Sequence, residues 1–198
     1  MTTALDRRRS PLAVVSDRLA ATGSADTVTF AERPFRVQLE VRAGAMLRPG
    51  VLDDALGLHP PAEVGTVARR RERHVLCLAP SWWLVTDEPE REPRLECALA
   101  ELVRTAGGID VSAVDVSAQR TTIDVAGPSA RDVLAHGCSL DLHPSAFTVD
   151  SCAQTTLAKA QVVLQQLDDA PTYRVHVRAS FADYLAHWLL DAATEYVH

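Results

Sequence analysis

The side chains best suited to metal binding or nucleophilic chemistry crowd into one stretch: His136, Cys138, Asp141, His143 and Cys152. The spacing of His136, Cys138 and His143 matches no common zinc pattern. Cys138 follows the expected end of a short helix, where a small buried hydrophobe is useful. A nucleophile pair of Cys152 with His143 would need hydrogen-bonded geometry that spacing does not supply. His143-Pro144 reads as a turn, because His59-Pro60 repeats it 84 residues earlier. A structural device is expected in both copies of a repeat, a catalytic residue in one. No catalytic and no metal-ligating residue is therefore assigned. Asp141 stands between Leu140 and Leu142. Apolar neighbours would raise the pKa of a buried carboxylate; a solvated aspartate would accept backbone N–H bonds in the turn. Lys159 reads either as a partner for an acid on another protein or as a solvent-facing strand end.

Other chemistry is missing from the pattern. The chain has no Gly-x-Gly-x-x-Gly, no Gly-x-x-x-x-Gly-Lys-Ser/Thr and no Gly-x-Ser-x-Gly. Alone, it shows no means of holding FAD, NAD or ATP. Arg69-Arg70-Arg71-Glu72-Arg73 is the densest charge and reads as a solvated hairpin tip or a docking patch. Arg7-Arg8-Arg9 reads as part of a solvated leader or as a contact for an acidic partner. Trp82-Trp83 opens an expected strand. Adjacent strand residues point to opposite faces, so one of the two leaves the core. An exposed Trp is a natural interface anchor.

The elements that must position these residues follow from periodicity. Val114 to Lys159 holds two β-branched runs, then a short helix opened by Gly127-Pro128, with Pro set for the first turn. Ala130, Val133 and Leu134 share one face of that helix, and Gly137 is expected to close it as a left-handed cap. Earlier, Phe35 to Arg42 alternates as a half-buried strand, with Phe35, Val37, Leu39 and Val41 inward. A short helix over Pro49–Leu56, capped by Gly57, comes next. Strands follow at Val64–Ala68, Val75–Ala79 and Trp83–Thr86. An amphipathic helix around Leu95, Leu99 and Leu102 ends at Gly107-Gly108. Strands are also expected at Thr155–Leu157, Val162–Leu167 and Tyr173–Val177. Ser180 with Asp183 suits a capping box for the last helix. Phe181, Tyr184, Leu185, Trp188, Leu189 and Ala192 form one apolar stripe down it.

Leu56-Gly57-Leu58-His59-Pro60-Pro61 matches Leu140-Asp141-Leu142-His143-Pro144-Ser145, with similar elements around each. The expected fold is therefore α+β, two tandem split-βαβ (ferredoxin-like) units. Residues 1–34 form an irregular leader, 35–110 the first unit and 111–198 the second. A last strand contributed across the duplication would suit this order. At 47% apolar and 23% charged the composition is that of an ordinary folded domain. A net charge of −6 argues against a nucleic-acid partner. No run approaches the ~20 apolar residues of a membrane span, and no signal-peptide core follows the N-terminus. A cytoplasmic protein is expected, with Cys77, Cys97, Cys138 and Cys152 as free buried thiols.

Four segments carry a family likeness: Arg120-Thr121, Gly127 to Leu134, Gly137 to Phe147 and Cys152 to Thr155. They resemble the gamma subunit of heterotetrameric sarcosine oxidase, with its Gly-Pro-x-Ala-Arg-x-Val-Leu, Gly-Cys-x-Leu-Asp-Leu-His-Pro-x-x-Phe and Cys-x-Gln-Thr. Trp82 departs from that family, which tends to an acidic residue there. Through this family the chain is also similar to folate-binding aminomethyltransferase domains. The resemblance implies a non-catalytic structural and assembly subunit. The complex demethylates sarcosine oxidatively to glycine, with hydrogen peroxide and formaldehyde or methylenetetrahydrofolate as further products. No cofactor is implied in this chain; FAD, FMN, NAD and tetrahydrofolate would belong to partner subunits, and the partners would be alpha, beta and delta subunits. The alternative is a stand-alone folate-binding or one-carbon transfer domain with Asp141 as its polar anchor, the one cofactor-binding candidate. An unrelated binding module is a third reading.

Overall fold

A computed structural model of the chain describes residues 8–89, 92–106 and 110–197, and the backbone alone at 92–94. The expected helix stop at Gly107-Gly108, and Arg7 of the leading arginine run, lie outside the described residues. In chain order the elements are α1 (Ser16–Ala21), β1 (Thr29–Glu32), β2 (Val37–Ala43), α2 (Val51–Leu56) and β3 (Val67–Arg70). Then come β4 (Arg73–Ala79), β5 (Trp82–Asp87), α3 (Glu92–Thr105), β6 (Val111–Asp115), β7 (Arg120–Ala126) and α4 (Ala130–Ala135). The chain ends in β8 (Cys152–Leu157), β9 (Ala160–Asp168), β10 (Thr172–Arg178), α5 (Ala179–Ala192) and a 3-10 turn at Thr194–Tyr196.

One compact unit comprises residues 35–118 and 143–154. Its five-stranded sheet has the order β3-β4-β5-β2-β6. β5 runs antiparallel to both β2 and β4, so these two are parallel to each other and split by β5. That is the expected split-βαβ layer, with β3 added at one edge. Val41, Val75, Cys77, Trp83 and Val85 meet Leu52 and Leu56 of α2 and Leu95, Leu99 and Leu102 of α3 in one core. Gly57 ends α2 in the left-handed conformation, as its position predicts. β2 is buried more fully than its alternation suggests. Arg36 and Gln38, expected on a solvent face, are almost wholly buried. Arg36 donates to the Glu72 carbonyl, and the Gln38 N–H reaches Ser117 Oγ. Phe35 sits outside the strand, in a turn with positive φ.

The other unit comprises, of the described residues, 8–34, 119–142 and 155–197. Its sheet, β1-β7-β10-β9-β8, repeats the first order position for position. β7 and β9 are split by β10, and β1 occupies the place that β6 holds in the first sheet. Both repeats use a two-residue turn with a non-glycine residue at positive φ after the edge strand: Arg71 between β3 and β4, Ala158 between β8 and β9.

Three expectations about boundaries change. Residues 8–34, the described part of the expected leader, are not irregular. Leu12, Val15 and Leu19, at helical spacing, are buried, and so are Val28 and Phe30. β1 pairs antiparallel with β7, Phe30 opposite Val125. Residues 111–115 do not open the second unit: β6 closes the first sheet on β2, with Val41 opposite Ala113. Residues 143–154 also belong with the first unit, where Cys152 donates its N–H to Gly65 and Val67 donates to Asp150. The hexapeptide match is not in structural register either. Leu56 is the last residue of α2, whereas Leu140 lies beyond the end of α4 at Ala135. The order of elements carries the repeat; the six residues do not.

Candidate functional site

The chemistry-bearing residues of the sequence are dispersed by the fold. Asp141 is exposed on the irregular segment between α4 and β8, with Leu142 buried beside it. His143 is exposed and organises its own turn. Its Nδ1 lies 2.7 Å from Ser145 Oγ and accepts the Ser145 N–H, and its carbonyl accepts the Ala146 and Phe147 N–H groups. His59 contacts a different residue, with Nδ1 2.7 Å from Asp53 Oδ2. His136 is exposed, with Nε2 3.2 Å from Tyr196 Oη. Among the described residues no three His, Cys, Asp or Glu side chains come together as a metal site.

Cys152 has no His143 partner in the structure. Its thiol points at the Thr66 and Cys77 carbonyls, and burial, reinforced by Cys77, pushes it up to about 12. A thiol held so far from ionisation is a poor nucleophile. Gly65 makes this packing possible: it lies between Cys77 and Cys152 in the backbone ladder and presents no side chain. All four cysteines are free, but only Cys77 and Cys152 are buried; Cys138 is half-buried and Cys97 is exposed. Cys97 follows the polar side of α3, so its apolar chemistry did not decide its place. Lys159 is exposed in the turn between β8 and β9.

The arginine run is more than a solvated tip. The turn itself is Arg71-Glu72, between the paired residues Arg70 and Arg73. Arg70 donates to the Gly57 carbonyl and Arg73 to the Leu56 carbonyl, satisfying the C-terminal end of α2, where cations are favoured. Arg73 also pairs with Asp87 at 2.8 Å, a carboxylate 1% exposed, and Arg69 pairs with Asp150. Helix α2 ends on these guanidinium groups, and the hairpin is fixed by them. Of the tryptophans, Trp83 is the core residue, donating Nε1–H to the Pro61 carbonyl at 2.7 Å. Trp82 lies outside the core, half-buried, with the Arg42 guanidinium 4.5 Å above its ring.

Two features escaped the sequence. A recess of about 320 Å³ lies in the 35–118 unit, between Met46, Leu47, Val51, Leu102, Thr105 and Asp110. It does not include Asp141. The second feature is the ion pair of Asp124 with Arg174, opposite each other on β7 and β10. Two hydrogen bonds of 2.8 and 2.9 Å join them, and Arg33 adds a third at 2.9 Å. Only the strict strand alternation hinted at this pairing, and it gave no register.

A pterin site requires an enclosed, largely apolar cavity with a few convergent polar groups. Asp141 is exposed on irregular chain, and the recess described here lies in the other unit.

Two sheets of this order, each backed by its helices, are the architecture of the aminomethyltransferase fold. Glycine cleavage system aminomethyltransferase T from Bartonella henselae superposes with a TM-score of 0.64 over 91% of this chain and 56% of that one. At 13% identity that likeness is one of fold alone. Closer kinship comes from one chain of a heterotetrameric sarcosine oxidase from Corynebacterium sp. U-96, solved with pyrrole 2-carboxylate. It gives a TM-score of 0.85 at 33% identity, over 96% of this chain and 97% of that one. Curated sarcosine oxidase gamma subunits from Corynebacterium sp. strain P-1 and from an Arthrobacter species are each 36% identical, over 195 and 191 residues, covering 96% of this chain and 91% of the relative. The sequence profile of the sarcosine oxidase, gamma subunit family matches residues 44–195. The chain belongs to the sarcosine oxidase gamma subunit family.

Proposed function

We propose that this chain is a non-catalytic assembly subunit of a cytoplasmic sarcosine oxidase. The complex demethylates sarcosine oxidatively to glycine. The reaction yields hydrogen peroxide, together with formaldehyde or methylenetetrahydrofolate. FAD, FMN, NAD and tetrahydrofolate belong to the other subunits, and the partners are alpha, beta and delta chains. One observation carries the reading: the chain matches a single subunit of a heterotetramer along nearly its whole length. The dispersal of its reactive side chains supports the same reading. His136, Asp141 and His143 are exposed in local turns, and the buried thiols are held un-ionised. No helix among the described residues is long and apolar enough to cross a membrane.

Co-expression with the alpha, beta and delta chains, followed by size-exclusion chromatography with flavin absorbance, tests the assignment. The chain should co-elute with the flavoprotein. Elution apart from every flavin-bearing subunit would remove the proposal. The folate alternative is tested on the isolated chain with tetrahydrofolate. No saturable binding is expected, and micromolar binding abolished by Asp141→Asn would replace the assembly reading with the alternative.

A further inference from the structure

Helix α5 carries more apolar surface than its own core uses. At about 100° per residue, the buried residues Ala182, Leu185, Ala186, Leu189 and Leu190 share one face. Phe181, Tyr184 and Trp188 fall within about 60° of one another, on a line rotated by about 130° from the centre of that face. Phe181 is 42% exposed and Tyr184 37%, and their rings meet edge to face at 6.5 Å. Trp188 is half-buried against Gly137, which has room for its ring only because it lacks a side chain. Beyond the helix, Tyr196 is half-buried beside His136.

Carboxylates outnumber cations near this stripe, where the guanidinium groups are Arg131 on α4 and the exposed Arg178 one turn before Phe181. Asp183, Asp191 and Glu195 are exposed on α5 and the turn after it, and Asp132 is exposed on α4. Burial first, then the charges of Asp132 and Glu195, raise the Tyr196 hydroxyl above its ordinary value. Between residues 179 and 197 the chain has no Lys or Arg; Arg178 stands at the helix start. Aromatic rings bordered by carboxylates attract guanidinium and ammonium groups, through the ring faces and through charge together.

We infer that the Phe181–Tyr184–Trp188 face of α5 is the surface through which this chain docks onto another subunit of the oxidase complex, and that the partner presents arginine or lysine side chains to it. The inference rests on the assembly reading and adds the surface and the chemistry of its partner. The aromatic rings are the anchors and the carboxylates set orientation and speed of association.

The test uses the full-length chain and purified partner subunits. Affinity is measured at several salt concentrations for the parent, for Phe181→Ala/Tyr184→Ala and for Asp183→Lys/Asp191→Lys. The aromatic double variant should bind about 30-fold more weakly or worse. The charge reversal should bind about tenfold more weakly at low salt and lose the salt dependence of the parent. Parent-like affinity in both variants overturns the inference and leaves the assembly reading standing. If no subunit binds the parent chain, the assembly reading fails and the inference with it. Self-association of the isolated chain, lost in the aromatic variant while subunit binding persists, would assign the face to a second copy and also overturn it. Thermal melting of each variant separates a lost surface from a lost fold.

Discussion

Asp124 is held by two guanidinium groups, one buried and one half-exposed. Burial alone would raise this carboxyl, but Arg174 and then Arg33 outweigh burial and hold it below the ordinary carboxylate range. A folded-state value below the unfolded one, near ~3.9, stabilises the fold above about pH 4, and this contribution is lost as pH falls through the folded value. Urea midpoints followed downward from neutral pH should therefore drop in the acid range, and Asp124→Asn should flatten that part of the profile. Asp124→Ala leaves Arg174 buried without its carboxylate and should cost about 3–5 kcal/mol in urea unfolding. The sulfurs make a second residue-scale prediction. A thiol reagent at mildly alkaline pH should label Cys97 readily in the folded protein, and Cys77 and Cys152 only after denaturant is added. Both buried thiols are raised by burial, whereas Cys97 is exposed. Residue chemistry was partly legible before the structure: the turn at His143 followed from Pro144, whereas His59-Pro60 lies in irregular chain without a turn. The Asp124 pairing was not, because Ile-Asp-Val in a strand reads as one exposed position until a partner strand supplies a buried cation.

Among the elements, α5 and α4 show what periodicity resolves and what it leaves open. The sequence gives α5 a continuous apolar stripe, and the structure divides it. Leu185 and Leu189 face the core; Phe181 and Tyr184 do not. Leu189→Ala should cost about 2–5 kcal/mol. Phe181→Ala and Tyr184→Ala, at partly exposed positions, should each cost less than about 1 kcal/mol of the same unfolding energy. The capping expectation also shifts. Helix α5 begins at Ala179, so Ser180 lies inside its first turn and makes no cap. Gly137 was expected as a left-handed cap, yet it is absent from the positive-φ residues. Its reason is space: an added Cβ would come within 2.6 Å of the Trp188 ring. Gly137→Ala should therefore cost about 1–3 kcal/mol and shift the Trp188 fluorescence, while Gly57→Ala would be penalised through φ. A glycine after a helix has two physical meanings, and local sequence does not separate them.

At the scale of the whole molecule, the repeated order of strand, helix, three strands and helix was legible, because each element has its own local pattern. The supply of the fifth strands was not. β6 follows its unit in sequence, but β1 precedes the partner it pairs with by about half the chain, Phe30 opposite Val125. Such a pairing leaves no mark on either strand alone, and neighbours in sequence are the usual neighbours in a sheet. β1 therefore has an unusual schedule. On the ribosome, Phe30 is synthesised on the order of 5 to 20 seconds before Val125 exists, at typical elongation rates. Through that interval Leu12, Leu19, Val28 and Phe30 have no sheet to enter. Nascent chains stalled before β7 should bind chaperones through these residues and release them once the hairpins after it emerge. A segment made early is thus among the last to find its place.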